Sequence, residues 1–184
     1  MALSDEELKK FWEMANTLRK NLDAAEYKHI VLGLVFLKHV SDSFEERHSE
    51  LEAKFSDPKS DQYKPNEKAR ANALDTRDYY TEVNVFWVPE DSRWQIIADN
   101  SKQADLALRI DNALYEIERE NPKLEGIVER SYANAKLPVA DLGAVVDLIG
   151  TISFAKGRDQ ASDVLGQVYE YFGLVEPASE DYAE

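Results

Sequence analysis

Tyr27-Lys-His-Ile-Val-Leu-Gly-Leu-Val-Phe-Leu-Lys-His-Val40 is the core of the longest hydrophobic helical pattern in the chain, which runs from Leu22 to Phe55. Tyr27, Ile30, Val31, Leu34, Val35, Leu37, Val40 and Phe44 recur every three or four residues, the period of one helix face. Leu32 and Phe36 carry apolar surface almost all the way round, which predicts a buried central helix. Lys28 and Lys38 bound the block, and it falls short of the roughly 20 apolar residues that a bilayer span needs. Gly33 sits in the middle, where glycine costs about 1 kcal/mol relative to alanine. Close approach of a neighbour is the expected compensation, with a mild bend as the alternative. Beyond Val40 the helix turns amphipathic and ends near Ser56.

The flanking sequence adds further helices. Ser4 and Glu7 form a capping box that starts a first helix at Asp5, with Leu8, Phe11, Trp12, Ala15 and Leu18 as its apolar stripe. Asp23 is placed to cap the central helix. Ser56 to Pro65 carries two prolines and no period, the signature of a surface loop. Asn66 caps a modest helix through Leu74. Val83 to Pro89 is β-branched and aromatic but too isolated for a sheet, so it is expected to run extended and pack Phe86 and Trp87 onto the helices. Ser92 is placed to cap a short helix holding Trp94, Ile96 and Ile97. Leu106 to Ile117 is amphipathic and stops at Asn121-Pro122. Pro138 leads into another helix through Ile149, Gly150 to Gly157 loosens, and Asp163 to Phe172 is a last short helix. The fold class is all-α: a helical bundle around the 24–55 helix with one short extended aromatic segment. Residues 1–172 make the helical domain, and 173–184 form an acidic tail expected to be disordered.

Composition narrows the function. With 184 residues the chain can bury a sizeable core, and with no cysteine it can form neither a disulfide nor a zinc-thiolate site. The amino-terminal residues are acidic and carry no secretory signal, so a cytoplasmic location is expected. The formal charge is −14, spread unevenly: about −3 over residues 1–54 and about −6 over residues 136–184. Such acidity opposes unaided nucleic-acid binding, which depends on neutralising phosphates, so DNA contact requires a local basic patch or a basic partner.

Candidate chemistry is sparse. His29, His39 and His48 are 10 and 9 residues apart, whereas metal pairs on a helix need separations of three or four. No metal site is expected. Glu116, Glu118 and Glu120 alternate and are read as a solvated face. No nucleophile elbow or phosphate-cradling glycine loop occurs. Asn121-Pro122 is followed by Lys123-Leu124, so it reads as a helix stop and not as an amino-methyltransferase motif. The first forty residues are the least acidic part of the chain. If the first two helices pack antiparallel, Arg19, Lys20, Asn21 and Lys28 gather near one turn as candidate DNA contacts, with Asp23 and Glu26 as the balancing rim.

Trp12 to Arg47, read as Trp-Glu-Met-Ala-Asn-Thr-Leu-Arg-Lys-Asn-Leu-Asp-Ala-Ala-Glu-Tyr and onward, closely resembles the amino-terminal helical domain of the modification (M) subunit of type I restriction–modification systems. Asn84-Val-Phe-Trp-Val-Pro89, Ile117-Glu-Arg-Glu-Asn-Pro122 and Asp163 to Phe172 resemble the same family, so the likeness spans nearly the whole chain. The resemblance implies part of a DNA adenine-N6 methyltransferase whose methyl donor is S-adenosylmethionine. It implies partners too: a specificity subunit, a second modification subunit and, in the assembled complex, DNA. In that family the amino-terminal domain helps embrace DNA and contacts other subunits. The family's catalytic domain follows the Tyr-Glu-Tyr-Phe helix, and its glycine-rich cofactor loop and Asn-Pro-Pro-Phe motif do not occur in this sequence. No catalytic or cofactor-binding residue can therefore be carried over, and the chain alone is expected to be inactive and to bind no S-adenosylmethionine. A rival reading is an acidic interaction protein that blocks the DNA channel of a restriction–modification complex, suggested by the charge of −14.

Overall fold

The computed structural model describes residues 4–20, 22–126 and 132–152. The expected helix over 163–172, the tail over 173–184 and Asn21 lie outside the described residues. Within them the chain is all-α: seven α-helices, two single 3-10 turns and no strand. α1 spans Asp5–Arg19, α2 Ala24–Ser56, α3 Glu67–Leu74, α4 Asp78–Thr81, α5 Trp94–Asp99, α6 Leu106–Glu120 and α7 Val139–Gly150.

The caps of α1, α2 and α3 fall where the sequence places them. In α1 the Ser4 hydroxyl accepts from the Glu7 amide and the Glu7 carboxylate accepts from the Ser4 amide. Asp23 accepts from the Glu26 amide at the start of α2, and Asn66 accepts from the Lys68 and Ala69 amides at the start of α3. Each cap satisfies donors that a first helical turn leaves without partners. Ser92 differs from expectation. It closes a 3-10 turn over Glu90–Ser92, and α5 starts after Arg93 with no side-chain cap. The Trp94 amide instead donates to the Ser41 hydroxyl of α2 at 2.7 Å, so a tertiary bond replaces the local one.

At 33 residues α2 is roughly 50 Å long, and it touches α1, α3, α5 and α7. Its buried residues lie on nearly every side: Tyr27, Ile30, Val31, Leu34, Val35, Leu37, Val40, Phe44, Leu51 and Phe55, with Leu32 and Phe36 half-buried against the core. Two charged side chains are buried with them. Lys38 pairs with Asp42 at 2.6 Å, one turn on. Arg47 donates from Nε to the Tyr79 carbonyl at 2.9 Å and reaches Glu50 and Glu82 at 3.2 and 3.0 Å, which clamps α4 onto α2.

The 85–89 segment is extended without forming a strand, and it buries Val85, Trp87 and Val88 while Phe86 stays half-buried. Asn84 enters it with φ of 59°, a left-handed conformation that asparagine tolerates better than most residues. Trp87 meets Phe44 and Tyr80 edge-on at 5.3 and 5.1 Å between ring centroids, and Phe44 stacks on Tyr80 at 4.8 Å. Asn121 is more than a helix stop. It is buried, its amide nitrogen donates to the carbonyls of Trp87 (2.8 Å) and Ile117 (2.7 Å), and its oxygen accepts from the Trp87 amide at 3.0 Å. The side chain serves as a strand partner for a segment that has none.

Two further readings change. Trp12 is no core residue. Phe11, Met14 and Leu18 are buried, whereas Trp12 is 45% exposed, because one residue of helix turns it about 100° off the packed face. Glu116, Glu118 and Glu120 are not a solvated face either. All three are half-buried, Glu120 pairs with Arg77 at 2.7 Å and Glu116 with Arg119 at 2.6 Å.

Candidate nucleic-acid interface

The corner between α1 and α2 is tight. The Leu22 amide donates to the Leu18 carbonyl, Asp23 caps α2, and Leu22 is buried, so the chain reverses within four residues of Arg19. Arg19 is the last residue of α1 and Lys20 its exposed C-cap, while Lys28 is half-buried in the second turn of α2. Arg19 crosses the corner. Its Nη2 donates to the Tyr27 hydroxyl at 3.3 Å, and its guanidinium lies 5.3 Å from the Tyr27 ring centroid and 5.4 Å from that of Trp12. The residue next to Lys28 is thus bound to Arg19 directly. Of the four candidates, Arg19, Lys20 and Lys28 have described positions and Asn21 does not.

The other early cations are used differently. Lys10 donates to the Thr151 hydroxyl at 2.9 Å and ties α1 to the end of α7, and Lys38 is buried on Asp42. Asp23 and Glu26 are exposed at the same corner, with the Asp23 carboxylate spent on its cap. The surface there is a short cationic edge on a chain of −14. Sequence reasoning missed Trp12 as part of this edge. The signal was present: Phe11, Met14, Leu18 and Leu22 follow a regular stripe that leaves Trp12 outside it.

Elsewhere the polar groups are structural. Burial pushes the Tyr80 phenol up to about 12, with smaller opposing effects led by Arg93, and its hydroxyl donates to the Leu74 carbonyl at 2.7 Å. Burial also holds the His39 imidazole below its ordinary value, against the pull of Asp42. His48 packs near Phe44 and lies 4.0 Å from Glu52. Among the described residues no three histidine or carboxylate side chains could share a metal ion. No helix among them is long and apolar enough to cross a membrane. A cavity of about 230 Å³ between Phe86, Asn84 and Pro122 joins the two stretches that Asn121 staples together.

A family described as the HsdM N-terminal domain matches residues 8–149. The type I restriction enzyme MjaIX methylase subunit of Methanocaldococcus jannaschii is 32% identical over 162 residues, which is 88% of this chain and 29% of that protein. The chain spans less than a third of that relative's length.

Proposed function

The chain belongs to the HsdM N-terminal domain family, and on that premise we propose that it is the accessory helical part of a type I restriction–modification methyltransferase of the adenine-N6 class, embracing DNA and docking the other subunits. The family match over residues 8–149 carries the reading. Its partners are a specificity subunit, a second modification subunit and DNA in the assembled complex, all in the cytoplasm. S-adenosylmethionine belongs to the catalytic domain of the full-length family, and this chain supplies neither methyl donor site nor catalytic residue.

The DNA-facing part of the reading is supported by the corner of α1 and α2. Arg19 and Lys20 are exposed there, and the buried lysine and arginine of α2 are already paired within the fold. In this arrangement the domain contributes a few phosphate contacts, and recognition of bases falls to the partner. The test is a pull-down with a cognate specificity subunit, with and without duplex DNA, using the unaltered chain and an Arg19→Glu, Lys28→Glu variant. The expected outcome is capture of both chains by the specificity subunit and weaker DNA retention by the variant complex. Unchanged DNA retention removes the corner from the interface. Displacement of the chain by DNA, with steep salt dependence, favours the rival suggested by the charge of −14, an acidic protein that occupies the DNA channel.

A further inference from the structure

The treatment of Arg19 differs from that of five other arginines. Arg47, Arg77, Arg93, Arg109 and Arg119 each have a carboxylate within 4.0 Å. In a chain with 36 acidic residues, Arg19 has none among the described residues and is given two aromatic rings instead. Tyr27 is buried, so its ring is fixed by the core, while Trp12 is 45% exposed on the outer side of α1. Trp12 and Arg19 are seven residues apart on one helix, two turns along the same face. A guanidinium over an aromatic face is attracted by the ring quadrupole, and tryptophan is the strongest such partner. The ring contact itself uses no N–H donor, and Nη2 keeps one of its two N–H groups beyond the bond to Tyr27. Nη2 is bonded to the Tyr27 hydroxyl, and among the described residues neither Nε nor Nη1 has an acceptor.

We propose that Trp12 is a positioning residue that, with Tyr27, holds the Arg19 guanidinium as an oriented fork for a backbone phosphate of DNA. The inference rests on the DNA-facing reading of the corner and gives that site its geometry. An arginine fork binds phosphate through two parallel N–H···O bonds, which need the plane of the group fixed as well as its charge present. Most of the side-chain order required is already in place before DNA arrives, so less is lost on binding. An ion pair in the free protein would have to be broken first; the aromatic contact does not.

The test uses the type I assembly containing this chain with its specificity subunit, and a mixed-sequence DNA duplex titrated over a salt series. Trp12→Ala should weaken DNA binding about three- to five-fold, the range of an exposed cation–π contact, without changing the salt dependence. Arg19→Ala should weaken binding and lower the slope of log affinity against log salt by about one. The double variant should match Arg19→Ala alone, and Trp12→Phe should recover most of the loss. Equal melting temperatures for Trp12→Phe and the unaltered chain keep the result independent of folding. A Trp12→Ala loss that persists in the Arg19→Ala background overturns the inference, as does an inert Trp12→Ala beside an Arg19→Ala that does weaken binding. An inert Arg19→Ala removes the DNA-facing reading itself. Weakened capture by the specificity subunit in the absence of DNA assigns the pair to a protein contact and also overturns the proposal.

Discussion

The hydroxyl of Tyr132 donates to the carbonyl of Ile30 at 2.7 Å, reaching the backbone of α2 over Gly33. The two residues are 102 positions apart. A methyl group on residue 33 would fall well inside contact distance of that hydroxyl. The glycine in the middle of the central helix is therefore an opening for one side chain. Tyr132 is held from its own side as well, because its amide and that of Ala133 donate to the two carboxylate oxygens of Asp111 at 3.0 Å.

Gly33→Ala sets two effects against each other. Alanine favours the helix by about 1 kcal/mol, and displacing the Tyr132 ring costs about 1–3 kcal/mol as overpacking. The expected net result is destabilisation in urea melts. Tyr132→Phe loses about 1 kcal/mol with its hydrogen bond. In that background Gly33→Ala should be close to neutral, since the hydroxyl is gone. Equal effects in the two backgrounds would break the link between these residues.

Asn121 should be among the least replaceable surface-distant polar residues. Asn121→Ala leaves the amide and carbonyl of Trp87 without partners in a buried setting, at a cost of about 2–4 kcal/mol. Asn121→Asp keeps the shape but loses the two donated bonds and buries a charge, so it should be worse at neutral pH. Chemical denaturation followed by tryptophan fluorescence measures both. A loss below about 1 kcal/mol would show that the 85–89 segment does not depend on this side chain.

Arg47→Ala should cost about 2–3 kcal/mol, chiefly through the Tyr79 carbonyl it leaves unpaired and the packing of its stem. Glu82 and Glu50 are partly exposed and return to water, so they add little. Hydrogen exchange should show the loss concentrated over α4 and the turn to Asn84. Lysine at this position keeps the charge but cannot reach three acceptors at once, and should fall between the two.

Stability should decline on mild acidification through His39. Burial holds its folded pKa below the unfolded value of about 6.5, so the unfolded chain takes up the proton first. The stabilising contribution is complete above the unfolded value and is lost as pH falls through the folded one. His39→Gln should flatten this part of the profile of urea midpoint against pH. Tyr80 acts at the other end, with stability present below pH 10 and lost as pH rises towards about 12.

Calorimetry with S-adenosylmethionine should give no heat of binding for this chain alone, since no residue in it matches the family's cofactor loop. A saturable isotherm would refute this.

Much of the architecture was legible in order along the chain. The capping box at Ser4, the caps at Asp23 and Asn66 and the limits of α2 all follow from interactions within a few residues. The grouping of Arg19 with Lys28 depended on a condition about helix packing, which the short corner and the Arg19–Tyr27 contact make concrete. Trp12 reads as core by residue type, whereas its angle on α1, one residue past the buried Phe11, leaves it exposed.

The sequence by itself determined which helix is central, where α1, α2 and α3 begin, and which family the chain resembles. Helix period and capping are local properties, readable from neighbours three and four residues apart. Only the tertiary structure decided what Gly33, Asn121 and Arg47 are for, and which rings Arg19 lies against. Gly33 lies under a bond between residues 102 apart, and the partners of Asn121, Arg47 and Arg19 are 34, 32 and 8 residues away, at separations where one-dimensional spacing carries no angle or distance. Those pairings exist because buried polar groups and close-packed rings must each find a specific neighbour once the helices meet.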